Sequence, residues 1–149
     1  MSRYARILPA VLAVGALLTL SGCGQPGLSR QPLQDAVATT FTNLYALRQQ
    51  QLRRPVPSAA ALGATARCDK GGPDVPDVGP GDTWTCLLVW QADGPGTPVG
   101  ASYEVQLKTD GCYTADGPPS VVGQRLVPVP GGRPAMNPIA SFDGCFDAS

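Results

Sequence analysis

The stretch SYEVQLKTDGCYTA (residues 102–115) decides the fold class of this chain. Apolar and polar residues alternate in its first half, so Tyr103, Val105 and Leu107 are predicted to face a core. Asp110-Gly111 is the strongest short signal for a hairpin turn, which predicts that residues 112–115 pair back on the first strand. The sequence therefore predicts an antiparallel sheet with one solvated face.

The predicted turn also determines which side chains of the second strand face the core. In a two-residue turn Thr109 lies opposite Cys112, which places Cys112 on the core-facing side, where a disulfide would be sheltered. Tyr113 then lies opposite Lys108 on the solvated face. Because an aromatic ring with a polar tip suits an interface, Tyr113 is the candidate contact residue for a partner.

A long helix is predicted before the sheet, between Gln31 and Arg54. Ser29 is a suitable N-cap, and Pro55 ends the segment because proline cannot continue a helix. A second, short helix is predicted over residues 59–62. The apolar residues of the long helix recur at steps of three and four, which places them on one side of it. They are Leu33, Ala36, Val37, Phe41, Leu44 and Leu47.

Three further segments are rich in β-forming residues: 83–90, 121–129 and 139–146. Gly, Pro and Asp crowd the segment 69–82, which is predicted to be a surface loop. The simplest architecture is an α+β fold in which one long N-terminal helix packs on a roughly four-stranded antiparallel sheet. This arrangement resembles the cystatin-like helix-on-sheet fold in outline.

Four of the five cysteines are predicted to form two disulfides, namely Cys68, Cys86, Cys112 and Cys145. Their number is even, and the N-terminus indicates export to an oxidising compartment. Spacing alone does not choose among the three connectivities. We favour Cys68 with Cys86, which would close the loop rich in Gly and Pro, and Cys112 with Cys145, which would tie the last segment to the hairpin. A four-thiolate zinc site is disfavoured because the paired Cys-x2-Cys spacing is missing.

The composition excludes several chemistries. The chain has no histidine, which excludes a Ser-His-Asp or Cys-His nucleophile and histidine-bearing zinc or haem sites. Eleven basic residues balance eleven acidic ones, so a nucleic-acid partner is not expected. The only glutamate, Glu104, is predicted on the solvated face, and we expect no enzyme, no cofactor and no metal. The alternative for the loop is a calcium site, although the spacing of its ligands fits no EF-hand. Those ligands would be Asp69, Asp74, Asp77 and Asp82.

The N-terminus has the parts of an export signal. Arg3 and Arg6 precede a mostly apolar run over residues 7–20, which is short for a membrane span. The run ends in Leu20-Ser21-Gly22-Cys23, which resembles the lipobox of bacterial lipoproteins. The resemblance implies cleavage before Cys23, a diacylglyceryl group on its thiol and, in most such bacteria, an acylated amine. The alternative is an ordinary secretory signal in which the cysteine is incidental.

The predicted organisation is a lipoprotein signal peptide over residues 1–22, a lipidated tether over 23–30 and a single α+β domain over 31–149. The lipid on Cys23 would hold the chain on the extracytoplasmic face of the cell membrane. Three segments are similar to small lipoproteins of actinobacteria, a resemblance that implies no activity. They are 64–68, 81–86 and 142–146.

These features predict a membrane-anchored binding or interaction module with an unknown protein or small-molecule partner. An inhibitor or accessory subunit of an extracellular enzyme is one alternative, and a carboxylate-based hydrolase is another. The tryptophans Trp84 and Trp90 separate two kinds of binding. Exposure of either in a cleft would favour a small ligand, whereas burial of both would favour interaction through a surface patch.

Overall fold

The computed structural model describes residues 27–92, 96 and 98–148. The predicted signal peptide, the lipobox and Cys23 lie outside this part of the chain. Within it, no helix combines the length and the apolar character needed to cross a membrane.

The chain has an α+β fold in which one long helix packs on an antiparallel sheet. Its elements in chain order are α1 (Arg30–Gln51), α2 (Ala59–Leu62), β1 (Thr65–Asp69), β2 (Gly81–Trp90), β3 (Val99–Leu107), β4 (Cys112–Asp116), α3 (Pro119–Val122), β5 (Leu126–Val127), β6 (Ala135–Met136) and β7 (Ser141–Cys145). The sheet has five strands in the order β1-β2-β3-β4-β7, and β5 pairs with β6 in a separate ribbon. The predicted fold class is confirmed, with one strand more than expected.

Helix α1 covers one face of the sheet with a stripe of residues spaced by four. The buried residues of this stripe are Leu33, Val37, Phe41, Tyr45 and Gln49. The predicted stripe is wrong at its C-terminal end, because Leu47 is 43% exposed and Tyr45 lies inside. Ser29 stands at the N-cap position, although its side chain makes no capping hydrogen bond. The helix ends at Gln51, three residues before the predicted end.

β1 is a strand that the sequence pattern did not predict. It forms an edge of the sheet, and Cys68 is its one fully buried residue. An edge strand with a single buried side chain has almost no apolar alternation, so the sequence pattern does not identify it. That helix, α2, is present as predicted, and the Ser58 hydroxyl accepts a hydrogen bond from the Ala61 N–H at 3.1 Å.

The segment 121–129, predicted as an edge strand, is divided between α3 and β5. Val122 of α3 is buried, and β5 pairs only with β6. β5 stops before Pro128, which has no N–H to continue a ladder. The last predicted strand is confirmed, since β7 pairs antiparallel with β4.

The core between α1 and the sheet is built on aromatic rings. The ring centroid of Phe41 lies 4.7 Å from that of Trp90 and 6.2 Å from that of Tyr103. The Tyr103 ring also lies 5.5 Å from Phe142, and its hydroxyl donates to the Ile139 carbonyl at 2.7 Å. Tyr103 therefore joins α1, the centre of the sheet and the segment before β7.

The buried tyrosines predict a loss of stability in alkaline solution. Burial raises the pKa of the Tyr103 hydroxyl well above its ordinary value of 10.0, and burial also raises the pKa of Tyr113. The folded state therefore holds these protons more tightly than the unfolded state. Stability should be independent of these groups below about pH 10 and fall as the pH rises from there through the folded pKa. We expect the urea midpoint, measured by circular dichroism, to decline above that pH. The decline should be shallower in Tyr103→Phe, and an equal decline would contradict the role of this hydroxyl.

Candidate functional site

Tyr113, predicted as a contact residue on the solvated face, is buried in the core. The β3–β4 hairpin has a three-residue turn, in which the Lys108 N–H donates to the Cys112 carbonyl at 2.8 Å and Gly111 has a φ of 81°. Leu107 consequently lies opposite Tyr113. A shift of one residue exchanges the two faces of a strand, so Tyr113 is only 1% exposed. The predicted position of Tyr113 is therefore wrong.

The surroundings of Tyr113 give it a structural role. Its hydroxyl donates to Thr40 Oγ1 of α1 at 2.8 Å. Its partner on β7 is Gly144, where a Cβ atom would lie 2.6 Å from the tyrosine hydroxyl. The glycine thus makes room for the ring, and the ring fastens α1 to β4 and β7.

The two disulfides have the favoured pairing, and they lie on opposite faces of the sheet. Cys68 and Cys86 are 3% and 0% exposed, so their bridge lies in the core and holds the edge strand β1 to β2. The other bridge joins Cys112 to Cys145 across β4 and β7 on the outer face, where Cys145 is exposed. The prediction that Cys112 lies on the core-facing side is wrong, because the three-residue turn shifts the register of β4 by one residue and exchanges its two faces.

The folded domain begins earlier than the predicted boundary at residue 31. Leu28 is fully buried, and its carbonyl accepts a hydrogen bond from the Gly79 N–H at 2.7 Å. Ser29 forms a β-bridge with Val78, and Arg30 forms an ion pair with Asp77. Residues 28–30, which the sequence assigned to the predicted tether, therefore pack with the folded domain.

The aspartates of the β1–β2 loop organise its turns. Asp69 accepts hydrogen bonds from the Gly71 and Gly72 N–H groups, which hold the pKa of its carboxyl below the ordinary value. Asp77 accepts from the Lys70 N–H at 2.7 Å in addition to its ion pair. Among the described residues, no three acidic, cysteine or histidine side chains are grouped as metal ligands.

One face of the sheet is covered by α1, and the other is open to solvent. The middle strands β2 and β3 alternate regularly between buried and exposed side chains. Polar side chains dominate the exposed positions, and Leu87 is the large apolar exception at 44% exposure. The exposed residues of β2 and β3 include Thr83, Thr85, Leu87, Ser102, Glu104 and Gln106.

The end of the molecule where α1 begins is acidic. We call it the tether end, after the tether predicted over residues 23–30; it comprises the start of α1, the β1–β2 loop with the adjoining strand residues Asp69 and Asp82, the β3–β4 turn and the residues after β7. The Phe146 N–H donates to the Gly111 carbonyl at 3.1 Å, which joins the last two parts. Among the described residues, the cations of the tether end are Arg30, Lys70 and Lys108, and its carboxylates are Asp35, Asp69, Asp74, Asp77, Asp82, Asp110 and Asp147.

The opposite end carries arginines. We call it the far end; it comprises the last turn of α1, the residues that follow it, and the segment from Gly123 to Asn137 with the β5–β6 ribbon. A Cβ atom at Gly131 would lie 3.9 Å from Arg53 Nη2, and one at Gly123 would lie 3.7 Å from Arg48 Nη2. The cations of the far end are Arg48, Arg53, Arg54, Arg125 and Arg133. Asp116 pairs with Arg125 at 2.8 Å, and Glu104 lies directly opposite Asp116 on β3.

Cavities of moderate size open on the surface, and two of them are characterised by their lining residues. The larger, of about 360 Å³, lies between α1 and the residues after β7, and Asp35 and Asp147 line it. The smaller, of about 220 Å³, lies beside Pro118 on the outer face of β3. The Asp35 carboxylate accepts a hydrogen bond from the Gln31 amide at 2.9 Å, a contact within one turn of α1.

The fold and these surfaces define a small α+β domain with two disulfides, one open sheet face and two ends of contrasting charge. Comparison of the chain with protein families, with curated proteins and with solved structures found no match.

Proposed function

We propose that this protein is a lipid-anchored protein of the extracytoplasmic membrane face that binds a partner through its surface. The lipobox Leu20-Ser21-Gly22-Cys23 at the end of an export signal carries this proposal. The two disulfides support it, because such bonds form and persist in oxidising compartments. A diacylglyceryl group together with an amine-linked chain would give the two or more acyl chains that stable anchoring needs.

The short span between Cys23 and the domain sets the orientation of the anchored protein. The domain begins at Gly27, where a Cβ atom would collide with the backbone of Ala148. Four residue steps reach at most about 14 Å, so the tether end lies next to the membrane and the far end points away from it.

Binding through the surface is favoured over a deep ligand pocket. Trp84 and Trp90 are 1% and 3% exposed, so neither lines a cleft. Trp84 donates from its indole N–H to the Gly79 carbonyl at 3.2 Å, and Trp90 packs on Phe41. The aromatic residues that a small ligand would use are therefore occupied in the core.

The anchor is tested by replacing its acceptor in Cys23→Ser. The natural chain, labelled in growing cells with an alkyne fatty acid and partitioned in detergent, should carry the label and enter the detergent phase. We expect the variant to lose the label and its fraction in the detergent phase to fall at least tenfold. Ser21→Ala is the matched control, since a small residue is retained, and it should behave like the natural chain. An unlabelled natural chain with the mass of an unmodified polypeptide would overturn the proposal.

A further inference from the structure

We infer that the far end binds an acidic surface of a second protein through an exposed apolar pair surrounded by arginines. The inference rests on the proposed anchoring, which places this end away from the membrane. The pair consists of Leu126 and Met136, which are directly opposite each other in the β5–β6 ribbon. They are 58% and 62% exposed, the two highest values among the large exposed apolar side chains of the described chain.

The arginines lie around this pair. Arg125 directly precedes Leu126, and Arg133 lies in the turn that joins β5 to β6. Arg53 reaches the same turn from the end of α1, since its guanidinium lies beside Gly131. Pro128, Pro130 and Pro134 restrict the backbone of the segment between the strands of the ribbon, which also contains Gly131 and Gly132.

The backbone at Arg53 has a conformation that usually belongs to glycine. The Arg53 N–H donates to the Gln50 carbonyl at 3.0 Å, and the Arg54 N–H donates to the Gln49 carbonyl at 2.9 Å. These two bonds form a Schellman motif, in which the residue in the left-handed region is usually glycine. Arg53 occupies that position with a φ of 53°, the one positive value outside glycine in the described chain. A strained residue of this kind is a recognised mark of a functional position.

The chemistry of the far end selects the class of partner. Arginine binds carboxylates through paired hydrogen bonds, and arginine and methionine are enriched in protein interfaces. A polyanion without apolar groups would match the arginines but leave Leu126 and Met136 in water. The protein's own membrane is too distant, because the 22 residues of α1 separate the ends by about 33 Å, several times the Debye length.

The test places a photo-crosslinking amino acid at Met136 of the full-length chain in the organism that produces it. Illumination should yield one discrete adduct with a protein that carries an acidic surface, and the same probe at Thr85 on the open sheet face should not. Arg53→Glu combined with Arg133→Glu should lower the adduct yield at least fivefold. Arg67→Glu, an equal change of charge per site on the exposed side of β1, should leave the yield within twofold.

Several results would overturn the inference. The first two are an adduct yield from Thr85 equal to that from Met136, and a loss of yield in Arg67→Glu equal to that in the double variant. The other two are adducts formed only with lipid or polysaccharide, and a lipidated chain that forms no adduct at all. A lipidated chain without an adduct overturns this inference but leaves the proposed anchor intact. A natural chain without lipid contradicts the proposed function instead.

Arg53→Gly separates binding from stability. Because glycine suits the left-handed position, the melting temperature should rise by a few degrees. The adduct yield from Met136 should nevertheless fall at least threefold. An unchanged yield would remove Arg53 from the binding surface.

Discussion

Removing the buried disulfide, by Cys68→Ala together with Cys86→Ala, is expected to lower the free energy of unfolding by about 4 kcal/mol. The bridge closes a sequence separation of 18 residues, and its two cysteines are buried in the core. Its loss therefore combines a less restricted unfolded chain with a packing defect. Urea unfolding under non-reducing conditions, followed by tryptophan fluorescence, measures the change.

The outer bridge provides the matched control. Cys112→Ala with Cys145→Ala opens a larger separation of 33 residues, but Cys145 is exposed and the core keeps its packing. In this control, hydrogen exchange should increase in β7 and the residues after it, whereas in the first variant it should increase in β1 and the β1–β2 loop. A loss below about 1 kcal/mol in the first variant would contradict the role of the buried bridge.

Tyr103→Ala should destabilise the fold by a similar amount, about 3–5 kcal/mol. The ring is fully buried between Phe41 of α1 and Phe142 of β7, so its removal leaves a cavity between these two elements. The variant also removes the hydroxyl that binds the Ile139 carbonyl. Thermal unfolding and urea unfolding at neutral pH both measure this loss.

Tyr103→Phe separates the ring from its hydroxyl. The phenylalanine keeps the packing but leaves the Ile139 carbonyl without its donor, so we expect a loss of about 1–2 kcal/mol. The difference between the two variants then measures what the ring contributes. Equal losses would show that the hydrogen bond, and not the packing of the aromatic cluster, dominates at this position.

The sequence predicts the hairpin β3–β4 but not its register. Asp110-Gly111 identifies the turn, yet the same dipeptide fits turns of two and of three residues. With the three-residue turn, Tyr113 faces the core and contacts Thr40 and Gly144. Thr40 is 73 positions away along the chain from Tyr113, so local pattern contains no information about this choice.

The candidate surface at the far end was equally hidden from sequence reasoning. Arg53 and Arg133 belong to segments that are predicted independently, and the ribbon that carries Leu126 and Met136 replaces the single edge strand that the pattern indicated. Each apolar residue by itself is unremarkable on a protein surface. The positive φ of Arg53 could not be found from the sequence, because nothing local distinguishes it from the other arginines near the helix end.

The amino-acid sequence by itself determined the class of fold, the long helix and the alternating strand β3. These follow from the spacing of apolar residues and from turn residues, whose preferences act over a few neighbours. Only the tertiary structure decided the faces of β4, the existence of the edge strand β1 and the grouping of arginines around Leu126 and Met136. Strand register and surface composition depend on partners far apart in the chain, and their free energy appears only when those partners meet.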